Sequence, residues 1–186
     1  MTGSARMVPG RTARAACFGA VLVAVEAILA WRVGLIPALA AFACLGAVGT
    51  IASVIDWRTR RLPDTLILPS YPVTIVLLAV ASGVGQDWWP LVRALIAAAV
   101  MTGFYLALGL ASPRGLGLGD VKLGGLLALG LGWLGWPTVV TGVLAAWGLT
   151  AIVLLIFQVI RPRRLDRTIA FGPWLCLGAL VAVGLR

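Results

Sequence analysis

The sequence contains no histidine. Without an imidazole, the Ser-His and Cys-His nucleophile systems and most zinc sites are excluded. Acidic residues are almost as scarce: the 186 residues hold six, Glu26, Asp56, Asp64, Asp87, Asp120 and Asp166. Lys122 is the only lysine. Charged residues make up 11% of the chain, against ~25% in an average soluble domain. Each charge is therefore informative, because an ionisable group within a bilayer is costly and tends to be functional. The three cysteines, Cys17, Cys44 and Cys176, lie in apolar runs and form no C-x-x-C pair. They read as small apolar side chains, with no metal or redox pairing implied.

What is abundant is apolar surface. Hydrophobic residues make up 61% of the chain and the mean hydropathy is +1.06. A soluble fold of this size has no interior large enough for that, so the solvent is lipid. Seven apolar segments are predicted, at 15–31, 35–55, 65–84, 90–111, 121–136, 137–160 and 170–185. The longer ones reach ~30 Å as helices at 1.5 Å per residue. None alternates as a barrel strand does. The expected fold is all-α, a polytopic membrane bundle of about seven helices. The first run could be a secretory signal, but it is long for one, contains Glu26 and ends without a clean A-x-A site, so a retained span is expected. The expected organisation is a cytoplasmic tail over 1–14 and one transmembrane domain over 15–186.

The net charge of +9 comes from arginines between the apolar runs. No basic face with stacking aromatics exists, so nucleic acid is not an expected partner. Arg6, Arg11 and Arg14 precede the first run. Arg58, Arg60, Arg61, Arg114, Lys122, Arg161, Arg163, Arg164 and Arg167 follow the second, fourth and sixth. The opposite loops hold Arg32 and the stretch Gln86-Asp87-Trp88-Trp89. The positive-inside rule then puts the N-terminus in the cytoplasm. Trp88, Trp89, Trp133 and Trp136 suit an outer interfacial belt.

Among the acids, Asp87 is expected in a solvated loop and Asp166 among arginines. Glu26, within a span, is expected to be a protonated, hydrogen-bonded group, with a functional group as the alternative. Asp56 and Asp120 differ: one ends the second segment, the other begins the fifth, and the charge topology puts both at the cytoplasmic boundary. Helical spacing back from Asp56 gives Ser53, Gly49 and Gly46; forward from Asp120 it gives Gly124, Ala128 and Gly132. Small-residue stripes are where membrane helices approach closely, so both carboxylates are expected to face the bundle interior. Two such carboxylates share one proton, which suits general acid-base work on a water. The structural alternative is helix capping, which fits Asp120 and leaves Asp56 electrostatically misplaced at a helix C-terminus.

Asp120 closes the run Gly115-Leu116-Gly117-Leu118-Gly119-Asp120, with no strand before it to suggest a dinucleotide loop. Three stretches together resemble the type IV prepilin peptidase family. They are Asp56-Trp-Arg-Thr-Arg-Arg-Leu-Pro-Asp64 with Thr65-Leu-Ile-Leu-Pro69, then Gly117-Leu-Gly-Asp-Val-Lys-Leu123, then Ala170-Phe-Gly-Pro-Trp-Leu-Cys-Leu-Gly178. Their order and spacing match the family over roughly 35–185. The resemblance implies a GxGD intramembrane aspartic endopeptidase of the bacterial plasma membrane. It implies Asp56 and Asp120 as catalytic residues, and Gly117, Gly119, Pro63, Asp64, Lys122, Phe171, Gly172 and Pro173 around the active-site loop and substrate approach. Asp64 is expected as a helix cap. Lys122 is expected either to favour ionisation of a carboxylate or to anchor its helix.

The implied partners are a prepilin or pseudopilin helix and the lipid bilayer, with no metal and no cofactor. Many family members also carry a C-x-x-C domain and methylate the product with S-adenosylmethionine; nothing in this sequence supports that second activity, so a short form is expected. A proton- or cation-coupled transporter using the same aspartates is the rival reading, whose sign would be a broken helix near mid-membrane. A catalytically dead assembly factor is another.

Overall fold

Membrane helices associate where small residues let backbones meet, and the sequence supplies 23 glycines for that purpose. The computed structural model describes residues 11–33, 37–111, 116–160 and 170–186. The tail with Arg6, the loop stretch with Arg114 and Gly115, and the stretch 161–169 with Asp166 and its arginines lie outside the described residues. Seven helices are described: α1 (Arg11–Val33), α2 (Leu39–Thr59), α3 (Asp64–Gly85), α4 (Trp89–Ala111), α5 (Leu118–Leu134), α6 (Trp136–Ile160) and α7 (Gly172–Gly184). No strand occurs among the described residues, and the chain is an all-α membrane helix bundle.

Among the described residues, α2, α3, α4 and α6 are long and apolar enough to cross a membrane. The seven helices agree with the expected bundle of about seven, and two of them are short. Helix α7 has 13 residues and reaches about 20 Å; α5 has 17 and reaches about 25 Å. Both fall short of the ~30 Å hydrocarbon layer. For α7 the cause is local: the apolar run begins at Ala170, but Phe171 caps the helix and the first helical residue is Gly172. Many large apolar side chains point outward, including Val84, Leu110, Leu144, Leu155 and Val159, as lipid-facing positions should.

Two antiparallel pairs show how glycine fixes the bundle. In α4–α5, a Cβ on Gly132 would lie 2.5 Å from the Ala97 Cβ, and one on Gly124 would lie 2.5 Å from the Tyr105 ring. At those points α5 contributes no side chain, so Ala97 and the Tyr105 ring of α4 pack directly on its backbone. Arg93 of α4 completes the pair by donating to the Gly132 carbonyl (2.7 Å) and the Trp133 carbonyl (2.5 Å). Those are C-terminal carbonyls that α5 leaves without helical partners, and a cation there also suits the helix dipole. In α6–α7, Gly142 and Ala146 face Gly178 and Ala182, with a Gly178 Cβ landing 2.6 Å from the Ala146 backbone nitrogen. Helix α3 carries Pro69 and Pro72 internally. Asp87 is exposed and accepts the Trp89 N–H at 3.0 Å, so it starts α4 as well as meeting solvent.

The stripes read from the sequence do mark close approaches, but the two do not face each other. Gly49 and Gly46 of α2 meet Cys176 of α7 and Glu26 of α1, whereas Gly124 and Gly132 of α5 meet α4. Cys17 is exposed and the other two cysteines are half-buried; all three are free.

Substituting Gly178 by Leu should separate α6 from α7 and cost about 1–3 kcal/mol or more, as overpacking does. Gly148→Leu, on the same helix pair where nothing lies within 4 Å, should leave stability unchanged. Thermal unfolding in detergent distinguishes them, and equal melting points for the two variants would contradict the packing described.

Candidate active site

The end of α2 and the starts of α3, α5 and α7 converge at one end of the bundle. Asp56 lies in the last turn of α2, only 5% exposed. The helix is closed by Arg60 in the left-handed region (φ 52°), whose N–H reaches the Asp56 carbonyl at 2.8 Å. The turn then runs to Pro63, whose extended backbone (φ −74°, ψ 121°) opens α3. A carboxylate at a helix C-terminus meets the wrong end of its own dipole. The structure answers this from 116 residues away: the Gly172 N–H, at the start of α7, donates to Asp56 Oδ2 at 3.1 Å in a buried contact. A helix N-terminus is a natural seat for a carboxylate. Residue 172 must be glycine for this approach, because a Cβ there would sit 2.7 Å from Oδ2.

Asp120 stands in the first turn of α5. Its Oδ2 reaches back to the Gly117 N–H at 3.3 Å, and its own N–H bonds the Gly117 carbonyl at 3.0 Å. This is the acidic half of a capping box, with glycine supplying the start. Asp120 as a residue is half-buried and Gly117 is exposed. Gly119 packs on the α2–α3 turn: a Cβ there would meet the Leu62 Cβ at 2.7 Å. The loop bearing Asp120 and the turn following Asp56 are thus pressed together, and the two carboxylates lie within electrostatic range of each other. Cys176 lies near them, and its thiol donates to the Gly49 carbonyl at 3.5 Å.

Asp64 and Lys122 take a role that differs from expectation. Pro63, with no side-chain capping bond, is the cap of α3, and Asp64 is its first residue. The Asp64 carboxylate pairs with Lys122 Nζ at 2.7 Å. Lys122 therefore meets Asp64 as its ion-pair partner and ties α5 to α3. The Tyr71 hydroxyl reinforces the tie by donating to the Lys122 carbonyl at 2.7 Å. Phe171 caps α7 and lies edge-on to Trp147, with ring centroids 6.0 Å apart. Pro173 occupies the first turn of α7, where its missing N–H costs nothing. Neither acid sits at a helix break in mid-span, the arrangement a coupled transporter would show.

Sequence reasoning named Gly172 but not its N–H as the partner of Asp56, and it missed Leu62, Tyr71 and Cys176. A glycine ahead of a proline inside an apolar run was the available sign for Gly172. The other three carry no local mark.

Residues 43–157 match the family model of the type IV leader peptidase family. The chain is 38% identical over 145 residues to the prepilin leader peptidase/N-methyltransferase of Escherichia coli (strain K12), covering 71% of this chain and 57% of that protein. It is 37% identical over 167 residues to the protein of the same name from Dickeya chrysanthemi, covering 85% of this chain and 54% of that one. The chain spans about half the length of the curated relatives it matches. No solved structure matches it significantly.

Reversing Lys122 with Lys122→Asp should lower the melting point slightly, since partly exposed pairs contribute ~0.2–1 kcal/mol and like charges repel. Adding Asp64→Lys should restore it. A double variant no more stable than Lys122→Asp would show that the pair does not join α3 to α5.

Proposed function

The chain belongs to the type IV leader peptidase family, and from that premise we propose that it is a membrane-embedded aspartic endopeptidase with Asp56 and Asp120 as its catalytic carboxylates. One observation carries the reading: among the acids of the described residues, these two come within electrostatic range of each other where the Asp120 loop presses on the turn after Asp56, one buried on a helix N-terminus and one half-open on a glycine loop. The ionised carboxylate takes a proton from a water as its oxygen attacks the scissile carbonyl carbon. The protonated carboxyl gives its proton to the carbonyl oxygen. Collapse of the tetrahedral species breaks the C–N bond, and the proton held by the first carboxyl leaves with the amine. A pair that shares one proton is suited to both roles at once. The proposal is confined to hydrolysis, the chemistry two carboxylates support.

The substrate class we propose is a type IV prepilin or pseudopilin, cut between its basic leader and its apolar helix, in a bacterial plasma membrane. The arginine-rich loops put the site on the cytoplasmic side by the positive-inside rule. Arg58 and Arg61 beside the site would repel a basic leader, so recognition rests on helix packing and on anionic lipid shared by enzyme and substrate.

Co-expression with a prepilin should give leader loss on a gel. Asp56→Asn and Asp120→Asn should each abolish it while leaving membrane insertion intact; complete cleavage by either variant would sink the assignment. Gly172→Ala should lower the rate by about tenfold or more, since one misplaced catalytic group can cost that much. Moderate salt should leave cleavage unaffected, and a strong, specific salt inhibition of a folded enzyme would favour electrostatic docking instead.

A further inference from the structure

The two aspartates are fixed to different parts of the bundle. Asp56 is held by the Gly172 N–H of α7. The Asp120 side chain accepts the Gly117 N–H at the start of its own helix, so its carboxylate goes where the first turn of α5 goes. The separation of the pair is therefore set by whatever places that turn against α2 and α3.

Contacts from the α2–α3 side reach that turn, and they differ in stiffness. Leu62 packs on Gly119, an apolar contact with no preferred direction. Asp64 pairs with Lys122 Nζ at 2.7 Å, but both side chains are partly exposed, and a lysine reaches its partner through a flexible four-carbon stem. The Tyr71 hydroxyl donates to the Lys122 carbonyl at 2.7 Å. That bond grips the backbone itself, through a rigid ring with two side-chain torsions.

The surroundings leave room for this bond alone. Asp64 and Tyr71 are seven residues apart, two turns on one face of α3, so both hold Lys122 from the same side. A Cβ on Gly125 would overlap the Tyr71 hydroxyl and the Thr102 hydroxyl. On the α4 side, a Cβ on Gly124 would lie 2.5 Å from the Tyr105 ring. Helix α5 is thus clasped between α3 and α4 just after Asp120, with glycines at the points of contact. The Lys122 carbonyl lies within α5 and keeps a second lone pair beyond its helical bond. The helix therefore forms without Tyr71, and what the hydroxyl adds is register.

We propose that Tyr71 is a positioning residue of the catalytic pair: its hydroxyl fixes the rotation of α5 about its own axis and so holds the Asp120 carboxylate against Asp56. The inference rests on the peptidase reading. A side chain stands about 5–6 Å from its helix axis, so a rotation of roughly 20° moves it by about 2 Å. A misplacement of ~1 Å can cost on the order of 100-fold in rate. The ion pair tolerates a shift of that size by turning its lysine stem, and the short bond from a ring to the backbone does not.

The test removes one oxygen. Purified Tyr71→Phe enzyme is compared with the unmodified chain on a purified prepilin in detergent. The expected result is a kcat lower by about tenfold or more with KM nearly unchanged, at a melting point close to that of the unmodified chain. Placing 4-aminophenylalanine at position 71 puts an N–H donor back beside the carbonyl and should recover most of the lost kcat. Thr150→Ala, which removes a hydroxyl bonded within α6 to the Ala146 carbonyl at 2.7 Å, should keep kcat.

A Tyr71→Phe enzyme with unchanged kcat overturns the proposal. So does a loss that only tracks the loss of folded protein, a loss carried by KM, one that the amine does not recover, or one that Thr150→Ala equals. The two readings fail separately: absence of cleavage by the unmodified chain refutes the peptidase and this role with it, whereas cleavage that Tyr71→Phe leaves unchanged refutes only the role of Tyr71.

Discussion

The bond between the Gly172 N–H and the Asp56 carboxylate joins the end of α2 to the start of α7, and the geometry of the site follows from it. Without that donor, a carboxylate at a helix C-terminus would be both desolvated and opposed by its own dipole. With it, Asp56 is held by the first residue of α7, Gly172. The contact forms because residue 172 has no Cβ. The same condition recurs through the bundle: Gly119 admits Leu62, Gly124 admits the Tyr105 ring, and Gly178 admits the α6 backbone. In lipid there is little hydrophobic force between helices, so such close contacts carry much of the cohesion.

The site is built from unequal halves. Asp56 is buried on a tertiary contact, and Asp120 is half-open on a local turn that its own side chain helps to close. Different surroundings for two carboxyl groups are what separates acid from base in enzymes of this chemistry. Around them, Asp64, Lys122 and Tyr71 hold the start of α5 against α3. These groups bind the frame together around the two aspartates.

Much of this was legible in the sequence. The seven helices fall where the apolar runs predicted, because in lipid a helix must satisfy its backbone internally and composition alone marks it. The common end shared by Asp56 and Asp120 followed from counting spans. Pair-specific facts were not legible. The stripes heading the two aspartates marked close approaches without naming a partner, and α7, α1 and α4 are what approach. Asp64 looked like a cap because it follows Pro63, yet its partner is Lys122, 58 residues on. Glu26 was expected to be hydrogen-bonded, and its Oε1 is buried without a partner; periodicity shows a buried face but not its neighbour's chemistry.

The central claim is that Asp56 and Asp120 act as one unit. Groups that act together are strongly non-additive when removed. The direct measurement is single-turnover cleavage of a purified prepilin by Asp56→Asn, by Asp120→Asn and by the double variant. The account predicts that the double variant is no slower than the slower single variant. Losses that multiply, or a single variant that keeps most of the rate, would contradict it.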